Sequence, residues 1–344
     1  MLYYNVLLPS ISPDGNFFPY QRLAMDRLRA LAALLLIFGL ALAFAPLGQA
    51  QQKLKVVASF SILADMAREI GGDRIELRSL VGANGNAHVF QPTPADGRAV
   101  SEASVLIVNG LGFEGWIERL QRSARFKGKI VVASAGVSPA LTADDHGHSH
   151  GHSPGGSAST RKKAKVDSLP DPHAWQDLRN GMLYVDTIAR GLSEADPANA
   201  EFFVKRASVY KQRLAALDAR LRSEFAAVPQ GKRRVITSHD AFAYFGRAYG
   251  IEFIPAAGVS SESEPTPRQI AALITQIKKE NVRALFVENM SSPKLVEQIG
   301  RDAGASVGGT LYSDALSPPG GPVDSYTGMF EHNAAALKAG MARN

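Results

Sequence analysis

The chain has 344 residues, 45% hydrophobic and 20% charged, with a formal net charge of +6. That length and balance suit a soluble globular protein with one large α/β domain or two smaller ones. There is no cysteine, which excludes disulfides, thiolate zinc sites, a cysteine nucleophile and a cysteine-linked lipid.

Met25 opens a segment with Arg27 and Arg29, an apolar run from Ala30 to Ala45, then small residues at Gly48 and Ala50. This is the order of a secretory signal peptide. The alternative is a membrane anchor, because the run of 16 residues approaches the roughly 20 of a membrane span. Translation is expected to start at Met25 rather than Met1, with cleavage after Ala50 and export of the mature chain. Residues 1–50 are set apart as extension and signal.

From Lys53 onward strands and helices alternate. "LKVVASF" reads as a strand and "SILADMAREIGG" as a helix closing on paired glycines. "SVLIVNG" and "KIVVASA" are strand-like, with "FEGWIERLQRSA" a helix between them. Such alternation implies parallel sheets covered by helices. The pattern restarts at "RVITSHDAFAYFGRAYGIEF", which parallels "KVVASFSILADMAREIGGDRIEL". Each has a strand ending in Ser (Ser59, Ser238), a helix, a Gly twelve residues on (Gly71, Gly250), then Ile-Glu. That weak repeat favours two related lobes. "VRALFVE" and "ASVGGTLYS" supply later strands, and "SPKLVEQIGRDAG" a helix.

Between the halves, Asp196 and Pro197 start a long helical run ending at Pro229. Phe203, Tyr210, Leu214, Leu217, Leu221 and Phe225 keep helical spacing along it. About 30 residues at 1.5 Å each give a rod of about 45 Å, long enough to join two lobes and resist hinging. The expected divisions are a first α/β lobe at 51–180, a helical connection at 181–229 and a second lobe at 230–344. Residues 142–169 lack periodicity and read as a low-complexity loop. It carries His146, His148, His150 and His152, and a basic run at Arg161, Lys162, Lys163 and Lys165. That run has no aromatic interleaving, so nucleic-acid binding is not expected.

The other histidines stand at 88, 173, 239 and 332. His88, His173, His239 and Asp314 each lie just past a strand or before a turn, where ligand groups gather in open parallel sheets. Two come from each half. Three imidazoles and one carboxylate at equivalent positions form a candidate metal site. His332, in the terminal helix, has no such place and reads as an ordinary structural residue.

The ordered segments "ASFSILADMAREIGGDRIELRSLVG", "HVFQPTPAD", "VNGLGFEGWIERL", "DPHAWQD", "TSHDAFAYFGRAYGI", "SESEPTPRQI" and "YSDALSPPGGPVDSYTGMFEHN" resemble the zinc/manganese-type solute-binding proteins of bacterial ABC transporters. The resemblance runs from about Lys53 to the C-terminus. It implies two α/β lobes, each a mostly parallel sheet flanked by helices, joined by one long rigid helix, with metal held between them. It carries ligand roles onto His88, His173, His239 and Asp314. Family members usually have Asp-Pro before the first histidine. This chain has Asn86-Ala87, which predicts a looser turn at His88. Manganese-tuned members usually carry Glu at the third ligand position; His239 stands there and favours Zn2+ over Mn2+. The resemblance further implies a monomer in the periplasm, serving an ABC-type permease of the inner membrane, with a periplasmic metal chaperone as a second partner.

Against this receptor reading stand a zinc metalloenzyme and a surface adhesin. A catalytic zinc keeps an open position for water, whereas four protein donors close the shell. Glu262 and Glu264 could serve as a base, but they read better as braces of the loop before Pro267. No Ser-His-Asp arrangement, Walker motif or dinucleotide fingerprint is present. The missing cysteine weighs against a lipid-anchored adhesin. The four loop histidines read as an accessory, low-affinity metal buffer.

Overall fold

Leu54–Phe60 forms the first strand, β1, and every residue from Val56 to Phe60 is buried, as expected of a strand covered on both faces. The description comes from a computed structural model and concerns residues 25–33, 52–140, 170–258 and 265–344. Residues 25–33 are helical and exposed. The rest of the expected signal, with its cleavage point, lies outside the described residues, as does the loop with His146, His148, His150 and His152. Among the described residues no helix is long and apolar enough to cross a membrane.

After β1 come α1 (Ser61–Gly71), β2 (Ile75–Val81), α2 (Pro94–Glu102), β3 (Val105–Val108), α3 (Ile117–Ser123) and β4 (Lys129–Val132). Two long helices follow, α4 (Leu178–Ala195) and α5 (Ala200–Ala226). The chain then makes β5 (Arg234–Thr237), α6 (Ala243–Tyr249), β6 (Glu252–Pro255), α7 (Pro267–Glu280), β7 (Ala284–Glu288), α8 (Lys294–Ala303), β8 (Ser306–Leu311) and α9 (Tyr326–Met341). The strands form two four-stranded sheets, ordered β2-β1-β3-β4 and β6-β5-β7-β8. All pairings are parallel. Two sheets of the same strand order agree with the two related lobes that the weak internal repeat favoured, although the repeated glycines differ. Gly250 is a left-handed helix cap with φ 70°. Gly71 is still helical and is small because a Cβ would strike Ile75.

Local chemistry sets most element ends. Thr93 and Thr266 open α2 and α7 with capping boxes, each followed by proline at the first helical position. The helix expected over 113–124 begins only at Ile117. Glu114 is pulled inward instead, accepting from Ser59 Oγ and from the Asn109 N–H, each at 2.6 Å. A 3-10 turn at Pro197–Asn199 precedes α5, whose 27 residues span about 40 Å. All six apolar positions expected to face inward along it are buried. It packs against α1 of the first half and against α6 and α9 of the second, so the rod bridges helices of both halves.

One apolar core runs through both halves, with Trp175, Tyr184, Tyr210, Tyr326 and Phe330 buried in it. A smaller core lies between the second sheet and helices α7 and α8. The seam between the halves is hydrogen-bonded as well as apolar. The Leu316 N–H donates to Ser61 Oγ at 2.9 Å, and the Asn84 N–H donates to the Leu316 carbonyl at 2.9 Å. The Tyr326 N–H reaches Asp65 Oδ2 at 2.8 Å.

Candidate metal centre

His88 follows β2 in a short turn. Asn86 Oδ1 accepts the His88 N–H at 2.9 Å, and the fully buried Ala87 offers its carbonyl to Trp116 Nε1 at 2.7 Å. The ring packs edge-on to Phe113, with centroids 4.7 Å apart. The expected looseness at Asn86-Ala87 is therefore not found, because asparagine closes the same local turn that aspartate would. His88 is still the least buried of the four, at 9% exposure.

His173 sits in a turn of the same spacing. Asp171 Oδ1 accepts the His173 N–H at 3.0 Å and lies 2.8 Å from Nδ1. Asn109 Nδ2 donates to the Pro172 carbonyl at 2.9 Å, and Tyr184 donates to Asn109 Oδ1 at 2.7 Å. The main chain at Pro172 is thus pinned to Asn109, just past β3.

His239 lies two residues past β5. Glu288, the last residue of β7, accepts the His239 N–H through Oε1 at 2.9 Å. Its Oε2 is 2.6 Å from Nδ1. Asp314 follows β8, and the neighbouring Ser313 carbonyl accepts from Trp175 Nε1 at 2.9 Å and Gln176 Nε2 at 2.8 Å. These bonds carry the loop of one half onto the other.

The structure brings His88, His173, His239 and Asp314 together, each with one donor atom within 4.8 Å of all the others. Nε2 of His88 and of His239 stand 3.3 and 3.2 Å from Asp314 Oδ2. Nε2 of His173 stands 3.7 Å from Asp314 Oδ1 and 3.3 Å from Nε2 of His88. Donors at zinc–nitrogen and zinc–oxygen distances on a tetrahedron would lie about 3.3 Å apart, so the set fits one small divalent ion. Both Asp314 oxygens are buried with no donor other than the converging imidazoles. A buried carboxylate without a conventional donor is costly, and a cation at the centre of the cluster would offset that cost.

The electrostatics agree. Burial pushes the Asp314 carboxyl up, but the facing His239 and His173 imidazoles outweigh it and hold it well below the usual range. Burial pushes His239 down, yet the Glu288 and Asp314 carboxylates win and raise it well above an ordinary imidazole. The pocket thus stabilises positive charge at its centre.

His332 is elsewhere, its Nε2 2.9 Å from the Thr310 carbonyl. Glu262 and Glu264 lie outside the described residues. An open cavity of about 820 Å³, bordered by Thr93, Arg98, Ser101 and Arg119, contains none of the four donors. The sequence reading missed Asp171 and Glu288. Each could have been found: Asp171 two residues before a candidate ligand, Glu288 as the single acid ending the apolar run "VRALFVE".

Residues 56–340 match the family model of the periplasmic zinc-uptake complex component A. The manganese-binding lipoprotein MntA of Halalkalibacterium halodurans is 32% identical over 290 residues, covering 84% of this chain and 89% of that protein. The iron ABC transporter substrate-binding lipoprotein MtsA of Streptococcus pyogenes is 33% identical over 296 residues, covering 85% and 90%. Among solved structures, the periplasmic zinc binding protein TroA from Treponema pallidum superposes with a TM-score of 0.74 at 26% identity, over 84% of this chain and 99% of that one. A manganese-bound periplasmic metal binding protein from Candidatus Liberibacter asiaticus gives 0.70 at 26% identity, over 83% and 98%.

Proposed function

That this chain belongs to the zinc-uptake complex component A family is the premise from which we propose its cargo and the residues that hold it. The chain is a substrate-binding protein of a metal ABC transporter, not an enzyme. We propose that His88, His173, His239 and Asp314 hold a single Zn2+ between the two sheets for delivery to a membrane permease. The observation that carries this reading is the convergence of three Nε2 atoms on one buried carboxylate. Three nitrogen donors and one oxygen suit zinc better than manganese, which prefers oxygen ligands. Four protein donors also fill a tetrahedral shell, which suits holding an ion rather than activating water on it.

A manganese cargo is the second reading, favoured by relatives named for manganese. Competitive titration of the mature chain with both ions decides between them. Zinc is expected to displace manganese at equimolar concentration; preferential manganese retention would overturn the zinc assignment.

We also propose the remaining setting. The mature chain starts at residue 51, acts in the periplasm as a monomer and passes zinc to an inner-membrane permease, receiving it at times from a metal chaperone. The lobes comprise 51–180 and 230–344, joined by 181–229. Relatives are named lipoproteins, whereas this chain has no cysteine for such a lipid. The hydrogen-bonded seam and α5 support release by small tilts and loop shifts. Solution scattering is expected to give the same dimensions with and without zinc; a large change would refute that mode of release.

A further inference from the structure

Two histidines of the cluster each have a carboxyl group at the main-chain N–H and at Nδ1. The first carboxyl meets the ring through a hydrogen bond, the second through a close ion-pair contact that is off the ring N–H direction. Asp171 takes the main-chain N–H of His173 and faces its Nδ1 from two residues away. Glu288 does both for His239 from a distant strand, one oxygen on the N–H at 2.9 Å and the other 2.6 Å from Nδ1. Glu288 is 1% exposed, and among the described residues its one ion-pair partner is His239. Burying a carboxyl group without a strong partner is unfavourable, so this contact must carry its place in the fold.

The local backbone brings Glu288 there. Leu285 pairs with Val307 but Val287 pairs with Thr310, so Gly308 and Gly309 together oppose Phe286. This bulge uses a φ of 135° at Gly309, which only glycine adopts readily. It sets Glu288 opposite Leu311, and the chain then continues to Asp314.

We propose that Glu288 is a positioning residue for His239. Its carboxyl holds the His239 main chain through Oε1 and faces the Nδ1 side of the ring through Oε2, so that the ring is fixed with Nε2 turned to Asp314. Carboxylate partners of metal-bound histidines act in this way. The proposal rests on the reading of the four-residue cluster as a zinc site. Its alternative is that Glu288 merely braces the Ser238–His239 backbone.

A double-mutant cycle separates these roles. Zinc affinity is measured by chelator competition for the unaltered chain, E288Q, His239→Ala and the double variant. Positioning predicts a loss of about 10- to 100-fold for E288Q in the unaltered background, and less than about 2-fold once the ring is absent. Equal losses in both backgrounds would show that Glu288 acts other than through the His239 ring and overturn the proposal. Should E288Q fail to fold, nitrogen NMR of the zinc-loaded unaltered chain carries the test. The His239 proton is expected on Nδ1, and a proton on Nε2 would refute the role. If the unaltered chain binds no zinc tightly, the receptor reading falls and this one with it. Tight binding with equal losses sinks only the role of Glu288.

Discussion

Oδ2 of Asp314 stands 3.2 Å from Nε2 of His239, and both side chains are sealed from solvent, at 0% and 1% exposure. An acid and an imidazole so placed neutralise each other when the ion is absent and share it when it is present. Asp314 also faces His88 and His173, so a single carboxylate meets three rings.

Asp314→Ala should therefore weaken zinc binding by more than the roughly 100-fold seen for outer-shell changes, since it removes the carboxylate that all three imidazole Nε2 atoms face. Chelator competition measures this. Gain of hydrolytic activity in the same variant would point to a shell that opens to water and would favour a metalloenzyme.

Zinc affinity should rise with pH. The raised His239 must lose its proton to ligate, so binding releases protons near neutrality. Competition titrations at pH 6 to 8.5 should show this slope, and a flat profile would contradict it. Stability of the metal-free chain should move the other way. A His239 held above its unfolded value stabilises fully below about pH 6.5, and that contribution is lost as pH rises through the folded value. Asp65, pushed up to about 6 mainly by burial, adds in the same direction: its stabilisation is complete below its unfolded value and fades as pH passes about 6. Asp314, held low, loses its contribution only in stronger acid. Urea unfolding should find the metal-free chain more stable at pH 5.5 than at pH 8, and zinc should reverse that order.

Gly181→Ala should damage the seam. A Cβ there would come within 2.4 Å of the Tyr326 hydroxyl, which donates to the Trp175 carbonyl at 2.5 Å. Overpacking of this kind destabilises by about 1–3 kcal/mol. Because Trp175 adjoins His173, zinc affinity should drop as well. Unchanged urea stability would show that the tyrosine moves aside freely.

Deleting residues 144–152 should leave one tightly bound zinc and abolish weaker equivalents, as counted by calorimetry. Loss of the tight equivalent would move the primary site into the histidine-rich segment.

Much of this was legible in sequence, for definable reasons. "LKVVASF" and "VRALFVE" are apolar runs that only buried strands tolerate, and the regular apolar spacing from Phe203 to Phe225 declared α5. His88, His173, His239 and Asp314 could be grouped because a parallel sheet gathers loop residues at one edge. The seam left little trace, since Ser61 and Asn84 meet backbone atoms of Leu316 and a carbonyl has no residue signature. Asp171 and Glu288 left only weak signals, an acid two residues before a candidate ligand and a lone acid ending an apolar strand, and their pairing with His173 and His239 shows only in the fold. The late start of α3 was hidden for a similar reason: Glu114 spends its carboxyl on β1 and the loop after β3 rather than on its own helix.

X-ray absorption at the zinc edge of the mature chain, loaded with one equivalent, tests the central claim most directly. Four nitrogen and oxygen neighbours at about 2.0–2.1 Å, with the scattering pattern of three imidazoles, are expected. A six-coordinate shell dominated by oxygen, or fewer than three imidazoles, would contradict it.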